Sequence, residues 1–153
     1  MYKTLLTAGA AMLALGTTTQ ALGQDPPQSP GVTKQDLGVN NKQTVIKPAA
    51  DPSVVDQYAG PGSHDNVQSA TTSSTGASPN TIIQSTEGGG SVQTAIQTGG
   101  SGNVVVQTQQ GSGNQQTVTQ SGDGNRATQS QSGRNLRGTL DQHGGQTDTQ
   151  IQR

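Results

Sequence analysis

Between Asn103 and Gln131 the chain repeats itself every 11 residues. NVVVQTQQGSG is followed by NQQTVTQSGDG and NRATQSQSG, so Asn103, Asn114 and Asn125 recur in step with Gln109, Gln120 and Gln131. A period this short calls for similar units stacked on one another rather than one globular core. The register extends both ways: Asn80 to Gln84 and Ser91 to Gln97 precede the clearest blocks, and Asn135 to Gln142 and Gln146 to Gln152 follow them. Gln is the steadier anchor, because Asn135 lies seven residues before Gln142 instead of six.

Each block holds an extended run of Asn, Gln, Thr and Val, then Gly-rich punctuation. Gly111, Gly113, Gly122, Gly124, Gly133 and Gly144 are the expected turn glycines, supplying the positive φ of a tight reversal. Two strands and two turns make a coil of about 22 residues, and coils stack with strands about 4.7 Å apart. The expected fold is therefore all-β, a β-solenoid that becomes cross-β when assembled.

Alternation along a strand sorts the side chains into two faces. Counting back from the Gln anchors places Asn103, Val105, Gln107 and Gln109 inside, then Asn114, Gln116, Val118 and Gln120, then Asn125, Ala127, Gln129 and Gln131. Thr117, Thr119, Arg126, Thr128 and Ser130 fall on the wet face. Before Gln142 the same count selects Leu136, Gly138 and Leu140 and expels Arg137 and Asp141. Before Gln97 it expels Val92 and Ile96, against their hydrophobicity.

Amides are suited to such an interior. At strand spacing each Asn or Gln can donate to its counterpart above and accept from the one below, which satisfies groups otherwise costly to bury. A single coil has no such partner, so this energy appears only on stacking. The inward apolar set (Ile82, Ala95, Val105, Val118, Ala127, Leu136 and Leu140) is small for the length of chain to be ordered. Both ends of the stack are open edges that template further strands. A marginal monomer and end-to-end assembly are expected, with Asp148, on the inward parity of the last block, as a terminal cap.

Composition narrows the alternatives. Hydrophobic residues are 26% of the 153, Phe and Trp are absent, and Tyr2 and Tyr58 are the only aromatics, which excludes a conventional core. With eight basic and nine acidic residues there is neither a basic track for phosphates nor an aromatic platform for bases, so no nucleic-acid partner is expected. Arg126, Arg134, Arg137 and Arg153 balance Glu87, Asp123, Asp141 and Asp148, removing the repulsion that would oppose stacking of identical copies. No Cys, paired carboxylate or Ser/His/Asp set stands out, and His64 and His143 lack companion ligands, so neither catalysis nor a cofactor or metal is expected. The Gly-x-Gly-Asn loops lack the Lys-Ser/Thr of a phosphate cradle, and only Asp123 offers a loop carboxylate for a calcium-binding roll.

Residues 1–23 read as a signal peptide: Lys3, an apolar run from Leu5 to Leu15, and Ala21-Leu22-Gly23 before a cleavage site at Gln24. The apolar run is shorter than the roughly 20 residues of a membrane span, so no integral membrane segment is expected. Residues 24–79, broken by seven prolines and rich in Ser and Thr, are expected to be disordered. Gln57 and Gln68, again 11 apart, leave open a decayed repeat, a recognition segment or chance. Residues 80–153 form the repeat region.

Gln120-Ser-Gly-Asp-Gly-Asn125, Gln109-Gln-Gly-Ser-Gly-Asn114 and Thr139-Leu-Asp-Gln-His-Gly144 resemble the repeats of curlins, the subunits of curli, which are extracellular functional amyloids of bacterial biofilms. The resemblance covers about residues 80–153. It implies export through the periplasm, secretion through a dedicated outer-membrane pore, and nucleated polymerisation at the cell surface with other curlin-like subunits. It maps the polymerisation ladder onto Asn103, Gln109, Asn114, Gln120, Asn125, Gln131 and Gln142. The chain departs from the family in lacking aromatics throughout the repeats and in its long Pro-containing N-terminal segment, which leaves open a major subunit, a nucleator or an accessory. A different reading is a monomeric solenoid that binds a ligand or surface through a Thr/Gln face, and a third is a disordered secreted spacer.

Overall fold

The computed structural model describes residues 31–76 and 78–153. The expected signal peptide and the first residues of the expected linker lie outside them. Eleven strands follow in order: β1 (Val32–Asp36), β2 (Lys42–Ile46), β3 (Val54–Ala59), β4 (Val67–Ser73), β5 (Thr81–Gly89), β6 (Val92–Thr98), β7 (Val104–Ser112), β8 (Gln115–Ser121), β9 (Arg126–Arg134), β10 (Arg137–His143) and β11 (Thr147–Gln152). Odd-numbered strands form one parallel sheet and even-numbered strands a second. The chain alternates between the two, one strand in each per coil. This is the β-solenoid expected from the repeat.

The solenoid begins earlier than the sequence implies. The segment expected to be disordered through Pro79 contains β1 to β4, so the boundary at residue 80 is not a structural one. Pro48, Pro52, Pro61 and Pro79 all sit between strands, where a missing N–H costs nothing. The short strands keep the inward pattern, with Val55, Ala59 and Ala70 fully buried among Gln57, Gln68 and Thr72. What conceals the period is turn length. Val55 pairs in register with Ile82 and Ala70 with Ala95, separations of 27 and 25 residues, whereas Val105 and Ala127 are 22 apart.

The inward parity holds in every block from residue 80 to 131. Val92 and Ile96 do face outward, half-exposed, while Gln93, Ala95 and Gln97 are buried. Asn135, with φ 56°, is an exposed turn residue, and Leu136 takes the ladder position beside Asn114. That displacement accounts for the irregular seven-residue spacing to Gln142.

Strands of the two sheets run in opposite directions across the interior. The first inward residue of each odd strand therefore meets the second of each even strand. Val55, Ala70, Ile82, Ala95, Val105, Val118 and Ala127 form one apolar stripe, with Val45 and Leu140 packed against its ends. It is one residue wide per sheet, and amides flank it on both sides.

Candidate functional site: amide columns open at both ends

Beside the apolar stripe, Gln57, Gln84, Gln107, Gln129 and Gln150 stack in a column, since β3, β5, β7, β9 and β11 pair in register. Each Nε2 donates to the next Oε1, at 2.8 Å from Gln57, 2.9 Å from Gln84, 3.1 Å from Gln107 and 2.9 Å from Gln129. In the even sheet Gln43, Gln68, Gln93 and Gln116 do the same at 2.8, 3.0 and 3.3 Å. The second amide proton crosses the core to a backbone carbonyl: Gln84 to Ser69 at 3.1 Å, Gln93 to Ser85 at 2.8 Å, Gln107 to Thr94 at 3.1 Å. One amide therefore ties rung to rung and sheet to sheet.

The seven residues assigned to the ladder from sequence occupy four columns at the edges of the core. Asn125 donates through its backbone N–H and Nδ2 to Asn103 Oδ1 at 2.9 and 3.0 Å. Gln109 donates to Gln131 at 3.3 Å, and Gln120 to Gln142 at 2.6 Å. Asn114 donates to the Gly133 carbonyl at 3.1 Å and accepts from the Leu136 N–H at 3.0 Å. All seven are buried. The central Gln columns span more rungs; parity places Gln107, Gln116 and Gln129 inside but does not mark them as ladder residues. They lack the adjacent glycines that make the edge positions conspicuous.

The six expected turn glycines all have positive φ, but only Gly113, Gly122, Gly124 and Gly144 lie between strands; Gly111 and Gly133 pair in register inside β7 and β9. At Gly111, with φ 110°, a Cβ would also stand 1.9 Å from the Gly133 carbonyl oxygen of the next coil. Glycine there serves both the positive φ within the strand and the coil-to-coil approach.

The columns have a direction, with every Gln-to-Gln bond donating towards the C-terminal end. They also have defects. Thr72 lies below Gln97 and Thr86 below Gln109, and in both places the Thr Oγ1 and the Gln Oε1 are buried without partners. Lys34 stands below Gln57 in the first coil, and Gln57 Oε1 likewise has no partner.

At the C-terminal end Asp148 is exposed on the last strand, and its Oδ2 accepts from Gln142 Nε2 at 3.0 Å. Asp51, in the turn between β2 and β3, is buried. Burial pushes its carboxyl up, but the Ser53 hydroxyl and N–H, the Ser74 N–H and the nearby Lys47 ammonium together hold it below the usual carboxylate range.

Among the described residues no group of His, Cys, Asp and Glu could hold a metal ion, and no helix is long and apolar enough to cross a membrane. Compared with known proteins, the chain matches no family model, no curated protein and no solved structure.

Proposed function

We propose that this chain is a secreted structural subunit that polymerises into extracellular, curli-like amyloid fibres for biofilm matrix, adhesion and surface colonisation. The observation that carries the reading is the pair of parallel backbone ladders, lined by amide columns, that among the described residues end unpaired at β1 and β2 and at β10 and β11. Each ladder gains bonds for every rung added, and no described strand pairs with either edge. Export through the periplasm, a secretion pore and companion subunits belong to the same proposal and rest on the curlin resemblance. X-ray diffraction from aged, aligned preparations tests it. A meridional reflection near 4.7 Å with an equatorial one near 10 Å is the expected result; a sample that stays monomeric for days at high concentration would overturn it.

A second reading, a monomeric solenoid binding a ligand or surface, draws on one outer column of hydroxyls in the even sheet: Thr44, Ser69, Thr94, Thr117 and Thr139. The adjacent column reads Ile46, Thr71, Ile96, Thr119 and Asp141, so the face lacks the second regular row such binding requires.

A further inference from the structure

Among the described residues, eleven strands divided between two sheets leave half a coil over. On the C-terminal face β11 therefore overhangs β10, and the edge of β10 lies on a ledge one strand deep. A second copy placed with its β1 on β11 would pass over that ledge and leave β10 unpaired. We propose instead that the second copy docks after half a turn about the solenoid axis, with its β1 on β10 and its β2 on β11. The inference rests on the assembly reading above and goes beyond it by specifying the joint.

Three features support the half-turn. The first is outer-face register. Ile46 and Ile151 are exposed at 59% and 62%, unusual for isoleucine. Both occupy the third outward position of their strands, Ile46 in the column of Thr71 and Ile151 in that of Ser130. With β2 on β11 they become neighbours and cover each other. Without the rotation Ile151 meets Gln35 and Ile46 stays bare.

The second feature is charge. Lys34 is the half-buried residue in the first rung of a Gln column, and Asp148 stands in the last rung of the apolar stripe. After the half-turn Lys34 of the second copy lies over Leu140, which is the stripe position opposite Asp148. The ammonium then meets the carboxylate across the core. With no rotation Lys34 would sit over Gln150, at the end where the column presents its amide donors, so donor would face donor.

The third feature is the neighbouring column. Asp36 of the second copy falls over Gln142, whose Nε2 already points at the carboxylate of Asp148. At the free end Gln142 Nε2 spends one proton on the Arg126 carbonyl and the other on Asp148, so Asp36 is bonded when that second proton turns from Asp148 to the added strand. Inward charges at a sheet edge also deter wrong pairing, since an isolated buried charge is costly and only the complementary end neutralises it.

Because the chain has no cysteine, mixed fibres of an I46C chain and an I151C chain test the joint. Adjacent strands lie about 4.8 Å apart, within the Cα separation a disulfide spans. Oxidation is expected to link the two chains, whereas a Q35C chain mixed with I151C, which reports the unrotated joint, is expected to stay unlinked. Cryo-electron microscopy of unmodified fibres supplies the second measurement, with an expected rise of about 26 Å and close to half a turn per subunit. Disulfides between Q35C and I151C, no disulfides in either mixture, or a rise of about 29 Å without the rotation would overturn the half-turn while leaving assembly standing. An unmodified chain that forms no fibres would overturn both.

Discussion

Gln84 donates to Gln107 at 2.9 Å along its sheet, and the same amide nitrogen donates to the Ser69 carbonyl at 3.1 Å across the core. Both protons of a buried amide are thereby used, each in a different direction. This dual bonding lets so polar an interior stay dry: the group is desolvated without being left unsatisfied. It also makes the centre of each column more sensitive than its ends.

Gln107→Leu strips that arrangement at its midpoint. It leaves the Gln84 donor and the Gln129 acceptor facing an alkyl group and frees the Thr94 carbonyl. A loss of about 2–4 kcal/mol is expected in chemical denaturation, since each unsatisfied buried group costs about 1–3 kcal/mol. Gln110→Leu, at an exposed position of the same strand, is expected to stay within about 0.5 kcal/mol of the parent.

The positive-φ glycines sort by what surrounds them. Gly111→Ala places a methyl 1.9 Å from the Gly133 oxygen, while Gly124→Ala, with φ 69°, meets nothing within 4 Å. The second change carries only the left-handed backbone cost of about 1–2 kcal/mol. The first must also push two coils apart, so its melting temperature is expected to fall further. Equal losses would show that coil contact at Gly111 plays no part.

Thr86→Gln extends the Gln109–Gln131 column downward by one rung. The new amide would donate to Gln109 Oε1, now buried without a partner, in place of a Thr Oγ1 that also has none. Stability is expected to rise by about 1 kcal/mol in the same assay, in line with one added net hydrogen bond. A decrease would show that the interior above Ala59 has no room for the longer side chain.

Asp51 makes stability depend on acid. Its folded carboxyl is held below its unfolded value of about 3.9, so its contribution is fully present above that pH and is lost as pH falls through the lower folded value. Asp51→Asn removes the charge but keeps the shape. It is expected to be less stable than the parent at neutral pH and to have a flatter stability profile below about pH 4. Parallel acid titrations monitored by circular dichroism would reveal the difference.

Side-chain parity and turn position follow from local rules, and both were legible in residues 80–153. Alternation places Gln107, Gln116 and Val118 inside, and glycine spacing locates the turns at Gly113, Gly122, Gly124 and Gly144, whereas Gly111 and Gly133 fall inside β7 and β9. Pairing in parallel sheets is not local, because each rung meets a residue 21 to 27 positions away through turns that need not match in length. Unequal turns concealed the coils from Val32 to Ser73, whose prolines read as linker although they occupy only the corners. The same non-local register decides that Lys34 ends a glutamine column, that Thr72 and Thr86 interrupt two others, and that the eleventh strand overhangs the edge of β10. The sequence alone determined which side chains face inward, since that depends only on neighbours along the strand. The tertiary structure decided which of them stack, since that depends on how much chain each turn consumes.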